Sequence, residues 1–315
     1  MYHGIINVYK EPGYTSHDVV ARLRGILKQK KIGHTGTLDP EAEGVLPVCL
    51  GAGTRLCDML TDRSKTYKAV MLLGCETDTQ DTTGVILRED RERAAALSEE
   101  VAAAAVMAFK GDYAQIPPMY SALKVDGKKL CELARAGREV ERQPRMVRIL
   151  DIKIERIQLP RVWMEVTCSK GTYIRTLCHD IGGKLGCGGC MEHLTRTRVD
   201  RFDIRDSLTL EQLEELRDQG RIDSCILPVE EALRSYETLY CLPEADGLVH
   251  NGNPCFSRQL DWARTKEAVT EAASAAPEDG QMFRMYDSAG HLAGVYQYQK
   301  DRHWWKPWKM FPMEQ

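Results

Sequence analysis

The segment KIGHTGTLDPEAEGVLPVCLGAGTRL, residues 31–56, sets five glycines and two prolines into otherwise apolar chain. That much punctuation excludes a long helix or an uninterrupted strand, because glycine loosens both and proline removes a backbone donor. Gly33, Gly36 and Gly44 permit positive φ and the close approach of another backbone, and Pro40 confines Asp39 to an extended or turn geometry. A loop of this kind presents one carboxylate rigidly. An isolated Asp-Pro pair is ordinarily a turn signal, so the motif means more only through its surroundings. The segment lacks the Gly-Lys-Ser/Thr ending of a phosphate-cradling loop.

At 315 residues the chain is long for one domain and has ample area for a core, so one large and one smaller domain are expected. No stretch reaches the ~18 apolar residues of a membrane span, and MYHGIINVYKEPG lacks the charged-then-apolar order of a signal peptide. A cytoplasmic, reducing setting is the natural expectation, and the eleven cysteines, scattered through apolar segments, are expected to form no disulfides. The net charge of -3 argues at first against nucleic acid, but its distribution does not. Residues 10–31 hold six Lys/Arg against two acids, and residues 110–150 hold nine against five. Potential is set by charge within a Debye length of about 8–10 Å, so a locally basic face still attracts phosphates.

TSHDVVARLRGILKQK places Val19, Val20, Leu23, Ile26 and Leu27 on one helical stripe after a Thr15/Asp18 capping pair. Residues 64–74 and 161–171 read as strands. LSEEVAAAAVMAFKG reads as a helix begun by Ser98 and stopped by Gly111, and TYIRTLCHDIGGKLG as another, with Ile174, Leu177, Cys178, Ile181 and Leu185 inward. Strands and helices mix without a βαβ rhythm, which favours an α+β fold: a mixed, largely antiparallel sheet flanked by helices. Residues 115–148, rich in Pro, Gly and cations, look like an excursion from that sheet. After about Tyr240 the texture turns to short strands, consistent with a small C-terminal β-rich domain.

Five blocks, YKEPGYTSHDVVARLR, GHTGTLDPEAEGVLPVCLG, SKTYKAVMLLGCETDTQDTTG, QIPPMYSALKVDGKKLCELARAG and CSKGTYIRTLCHDIG, occur in the order found in the TruB family of bacterial tRNA pseudouridine synthases. The resemblance covers residues 1 to about 235, and the remainder resembles less closely the PUA-type domain that follows in that family. It implies a pseudouridine synthase domain over 1–238 with an RNA-clamping insertion at 115–148, and a PUA-like RNA-binding domain over 239–315. It also implies isomerisation of uridine 55 in the TΨC arm of tRNA, with no cofactor, no metal and no membrane, by a monomer. A guide-RNA-dependent relative and a non-catalytic RNA-binding or tRNA-folding protein are the alternatives. Degeneration toward the latter would strike first at residues that are all present here.

That reaction breaks the N1–C1′ bond, turns the uracil and joins C5 to C1′, so it calls for an ionised carboxylate, as in other glycosidic chemistry. Asp39 matches the family's catalytic aspartate. A carboxylate in a dry pocket drifts toward its neutral form unless a cation holds it, and Arg175 matches the arginine that does so. Tyr67 matches a tyrosine that stacks on the uracil and takes a proton late in the reaction. Tyr173 resembles a tyrosine supporting the ion pair, and His34 a residue that shapes the RNA loop. Lys10, Lys124, Lys128, Lys129, Arg135 and Arg138 are the expected phosphate contacts. Cys131 departs from the family's usual tyrosine within the insertion. Cys187 and Cys190 have a zinc-like spacing, but no second pair accompanies them.

Overall fold

The computed structural model describes residues 1–125, 127–268 and 276–311, without the side chains of 266–268. Its first helix, Ser16–Leu27, starts at the foreseen cap: the Asp18 amide donates to Thr15 Oγ1 at 3.1 Å, and the Thr15 amide donates to Asp18 Oδ2 at 2.8 Å. Val19, Val20, Leu23, Ile26 and Leu27 are all buried, the stripe a 3.6-residue period produces. They pack on Ile6 and Val8 of strand Gly4–Lys10, on Leu46, Val48 and Leu50 of strand Glu43–Leu50, and on Leu210 and Leu213 of helix Leu210–Asp218. At about 1.5–3 kcal/mol for each fully buried aliphatic side chain, this packing rather than intrinsic propensity holds the helix.

Strand Glu43–Leu50 is buried on both faces, which explains its unbroken apolar run. One face meets the first helix, while Val45 and Cys49 on the other join Leu56, Leu60, Val199 and Phe202. The strand belongs to a ten-stranded sheet whose main path runs Ile226–Leu227, Gly4–Lys10, Glu43–Leu50, Gly189–Val199, Lys65–Leu73, Arg161–Cys168, Arg145–Gln158, Gly111–Gln115. All its strand pairs are antiparallel except one, where Thr195 meets Glu43 and Arg196 meets Gly44 in parallel. The fold is thus the mixed, largely antiparallel α+β sheet that was expected. Helix Ile174–Leu185 lies on the sheet through Ile174, Leu177, Cys178 and Ile181, packed with Met71, Met164 and Val166, and ends at Gly186 in the left-handed conformation.

Some elements begin or end elsewhere than the sequence suggests. The alanine-rich helix, capped by Ser98, stops at Met107, and Gly111 at φ +114° starts a strand instead. The basic excursion leaves the sheet at Gln115 and returns at Arg145, which sits directly opposite it at the end of their ladder. It carries a small hairpin, Lys124–Val125 with Lys128–Lys129, and a helix, Leu130–Arg135. A second sheet begins at Glu237–Tyr240 and continues through Met282–Tyr286, Leu292–Gln299, Trp304–Met310 and Cys255–Phe256. Two short helices, Asp246–His250 and Trp262–Ala268, were not legible in its turn-rich sequence. Its Val295 and Phe311 pack with Ile5, Leu56 and Leu60 of the first unit. All eleven cysteines are free thiols. Among the described residues no helix is long and apolar enough to cross a membrane.

The parallel junction positions the loop that carries Asp39, and Gly44 is the residue that permits it. Its φ is +105°, and a Cβ there would lie 2.3 Å from the Arg196 carbonyl oxygen. Gly44→Ala should therefore lower the unfolding free energy by at least ~2 kcal/mol in a denaturant titration. Gly13→Ala, at φ +85° with open space around it, should cost about 1 kcal/mol. Equal midpoints for the two variants would show that the junction yields to a side chain.

Candidate active site

The Asp39 loop has no regular secondary structure and is held from two sides. At the start of the first helix, Ser16 Oγ accepts from the Leu38 amide at 2.9 Å. From the adjoining strand, the Lys10 ammonium donates to the carbonyls of Glu11, Pro40 and Ala42. The Asp39 carbonyl accepts from the Ala42 amide at 3.1 Å, closing the turn that Pro40 begins. Leu38 and Ala42 are buried in the core on either side of the aspartate.

This corrects the expectation for Lys10. It is fully buried, not part of the basic outer face, and burial lowers its pKa to about 8. The side chain ends among carbonyls because a strand residue flanked by Val8 and the Asp39 loop has no route to solvent, and three acceptors satisfy the ammonium's three donors. Lys10 is a strut for the loop and is removed from the phosphate contacts.

Arg175, in the first turn of helix Ile174–Leu185, reaches the aspartate as a two-pronged fork: Nε to Oδ2 at 2.8 Å and a terminal nitrogen to Oδ1 at 2.9 Å. Its other donors meet the carbonyls of Thr79 at 2.9 Å and Tyr120 at 2.8 Å. The guanidinium is 5% exposed, whereas the aspartate side chain is 37% exposed, so the pair is fixed from behind and open in front. Burial pushes the Asp39 carboxyl above its ordinary range, and Arg175 opposes that push through charge and hydrogen bonding. Since arginine does not release its proton, the fork favours the ionised carboxylate.

Tyr67 lies on strand Lys65–Leu73, opposite Val166 on one side and Arg196 on the other. It is buried, and burial raises its phenol; it is near enough to Asp39 for that charge to add to the rise. Tyr173 caps the helix bearing Arg175, with its backbone clamped by the buried side chain of Gln115: amide to Oε1 at 2.8 Å, carbonyl from Nε2 at 3.0 Å. His34 ends the short strand Ile32–His34; burial lowers its pKa, and its Nδ1 is buried without a hydrogen-bond partner among the described residues. The structure thus brings Arg175 onto Asp39 and sets Tyr67 and Tyr173 near enough for the Asp39 charge to act on both phenols. Lys124, Lys128, Lys129, Arg135 and Arg138 are exposed on the excursion, which touches the site through the Tyr120 carbonyl.

Three contributors escape a reading of the sequence. Asp81 stands 3.8 Å from Arg175 Nε and is fastened by Thr79 Oγ1 at 2.7 Å and the Thr83 amide at 3.0 Å. In TDTQDTTG it is one of several polar turn residues with nothing to single it out. The carbonyls that grip Arg175 have no side-chain signature at all. Arg196, buried beneath the Asp39 loop, sits in a strand where an exposed cation would be ordinary. A groove of about 820 Å³ lined by Tyr14, Arg22, Glu214 and Arg217 lies between helices Ser16–Leu27 and Leu210–Asp218 and contains none of these groups.

Residues 24–174 match the model of the TruB family pseudouridylate synthase N-terminal domain, and residues 175–234 match that of the tRNA pseudouridylate synthase B C-terminal domain. Among curated proteins, tRNA pseudouridine synthase B of Lachnoclostridium phytofermentans is 45% identical, covering 98% of this chain and 99% of its own. The protein of that name from Staphylococcus haemolyticus is 47% identical over 78% of this chain and 82% of its own. Among solved structures, a Cbf5-Nop10-Gar1 complex contains a chain with a TM-score of 0.73 and 26% identity, covering 98% of this chain and 85% of its own. An H/ACA RNP bound to a substrate RNA containing 2′-deoxyuridine contains one with a TM-score of 0.71 and 24% identity, covering 99% and 86%. With its first 234 residues spanned almost entirely by the two models, and with a relative similar from end to end, the chain belongs to the TruB family of pseudouridylate synthases.

Proposed function

We propose that the chain isomerises uridine 55 in the TΨC stem-loop of tRNA to pseudouridine, with Asp39 as the attacking carboxylate, Arg175 as its fixed counter-charge and Tyr67 as the stacking phenol that takes the late proton. The observation that carries this reading is the fork: a carboxylate gripped by both oxygens from behind yet exposed in front is held ready to meet a sugar or a uracil ring. The conversion is an isomerisation. The N1–C1′ bond breaks, C5–C1′ forms, C5 gives up a proton and N1 gains one, so nothing is supplied from outside.

The target base lies in a folded RNA loop and has to be extruded, at a cost of a few kcal/mol recovered by stacking and phosphate contacts. Tyr67 and Tyr173 offer aromatic surface, His34 stands at the base of the loop, and the five exposed cations of the excursion are placed to meet backbone phosphates. The expected division at 238/239 moves to just before Glu237, because strand Glu237–Tyr240 already belongs to the second sheet, and the β-rich unit from there on is read as a PUA-like RNA-binding domain, with a cytoplasmic monomer as the working form. The much closer sequence match to tRNA pseudouridine synthase B than to the chains of the H/ACA RNP and Cbf5-Nop10-Gar1 complexes favours the stand-alone activity.

Release of tritium from [5-³H]uridine in a transcribed tRNA tests the reading directly, with a transcript carrying cytidine at the target as control. Asp39→Asn should abolish release while tRNA affinity stays within a few-fold, because phosphate and stacking contacts supply most of the binding. Substantial turnover by this variant would remove Asp39 from the chemistry.

The pH dependence follows from the ion pair. Activity needs the ionised carboxylate, which is present above the carboxyl's pKa and lost as pH falls through it. Burial already raises that pKa, so a weaker counter-charge should raise it further. Arg175→Lys should move the acidic limb of kcat/KM to higher pH and lower the rate by about 10–100-fold at neutral pH. An unmoved limb would separate Arg175 from the ionisation of Asp39.

Binding is tested by salt. Affinity should fall by roughly 0.7–0.9 log units per log unit of salt for each phosphate neutralised. Replacing Lys128 and Lys129 together with Ala should make that slope shallower and leave the rate at saturating RNA nearly unchanged. A slope that does not respond to the double replacement would take these lysines off the phosphates.

A further inference from the structure

The activity above leaves one buried cation of the ten-stranded sheet without a task. Arg175 has its carboxylate, and Lys10 and Lys65 end among backbone carbonyls. Arg196 is 1% exposed, and no carboxylate of the described residues is within ion-pair range of it. Burying a guanidinium with no opposite charge is costly, so its retention in the middle of a strand calls for a reason.

Its contacts place it at a crossroads. In one direction it is the register partner of Tyr67, and in the other, across the parallel junction, of Gly44. Nε donates to the Val45 carbonyl at 2.7 Å, and a terminal nitrogen reaches the Gly36 carbonyl at 3.4 Å, so one guanidinium spans both ends of the Asp39 loop. Its burial excludes a phosphate contact.

We propose that Arg196 is a positioning residue for the isomerisation: it ties the Asp39 loop to the Tyr67 strand and supplies the fixed positive charge that stabilises the Tyr67 phenolate. This rests on Tyr67 being the base of the late step. In that step the C5–H bond breaks and the phenolate oxygen takes the proton. The bonding pair forms C5=C6, the C6=N1 pair moves onto N1, and N1 takes a proton from water. Consistent with this role, burial raises the phenol while the charge and hydrogen bonding of Arg196 draw it back down.

A double-mutant cycle tests the proposal, using single-turnover rates on saturating tRNA transcript across pH for the wild type, Arg196→Lys, Tyr67→Phe and the double variant. A weaker or displaced cation raises the phenol's pKa, so less phenolate exists at a given pH and the rising limb moves to higher pH. Arg196→Lys should slow the step by about 10–100-fold with tRNA affinity within about threefold, and should cost less than about twofold when Tyr67 is already Phe. An equal loss in the Tyr67→Phe background, or an unmoved limb, would overturn the proposal and leave Arg196 a loop tether only. Should Arg196→Lys fail to fold, 3-fluorotyrosine at position 67 in the otherwise natural chain gives the second reading: its more acidic phenol should move the limb to lower pH, and no movement would overturn the proposal. Absence of tritium release by the unmodified chain would instead overturn the activity on which the proposal rests.

Discussion

A carboxylate and a guanidinium 136 positions apart in the chain are brought to 2.8 Å, and much of the architecture around them serves that meeting. Neither partner tolerates burial alone, because an unpaired ion in a dry site changes its protonation or draws in water. The loop bearing Asp39 is braced by Lys10 and Ser16 independently of the pair, and Arg175 is steered by two carbonyls, one from the Thr79 turn and one from the excursion. Bracing on both sides still leaves the carboxylate partly exposed on its free side.

The cost of this arrangement is a high density of buried polar groups in a region that could have been apolar. Lys10, Lys65, Arg175 and Arg196 are all buried, together with Thr35, Thr66 and Gln115. Lys10, Lys65 and Arg196 are satisfied by backbone carbonyls rather than by acids, so their positive charge is not cancelled locally near Asp39 and Tyr67. A positive field favours carboxylate and phenolate over their neutral forms, the direction the proposed roles of Asp39 and Tyr67 call for.

The sequence made the frame legible where one residue's chemistry determines local structure. Thr15 and Asp18 announce a helix start, the stripe from Val19 to Leu27 announces its buried face, and the glycines and Pro40 announce a constrained loop at Asp39. Family resemblance then supplied the partners, since no periodicity connects residue 39 to residue 175. What stayed hidden depends on contacts made across the fold. Lys10 reads as one more cation in a basic run until the Asp39 loop is seen to lie over it. Asp81 reads as a turn residue, and Arg196 as a strand cation, until the parallel junction turns it inward. Composition reports how many charges a segment carries but not on which side of the sheet they end.

The parallel junction also governs when the site comes into being. Strand Glu43–Leu50 pairs with Gly189–Val199, so the Asp39 loop gains its final neighbours only after some 150 further residues have been added to the growing chain. Asp39 and Tyr67 emerge from the ribosome early, whereas Arg175 and Arg196 emerge late. During that interval the aspartate loop has its local braces from Lys10 and Ser16 but neither of its guanidinium contacts. The braces from residues 10 and 16 are thus local in sequence, whereas both guanidinium contacts close over more than 130 positions of chain.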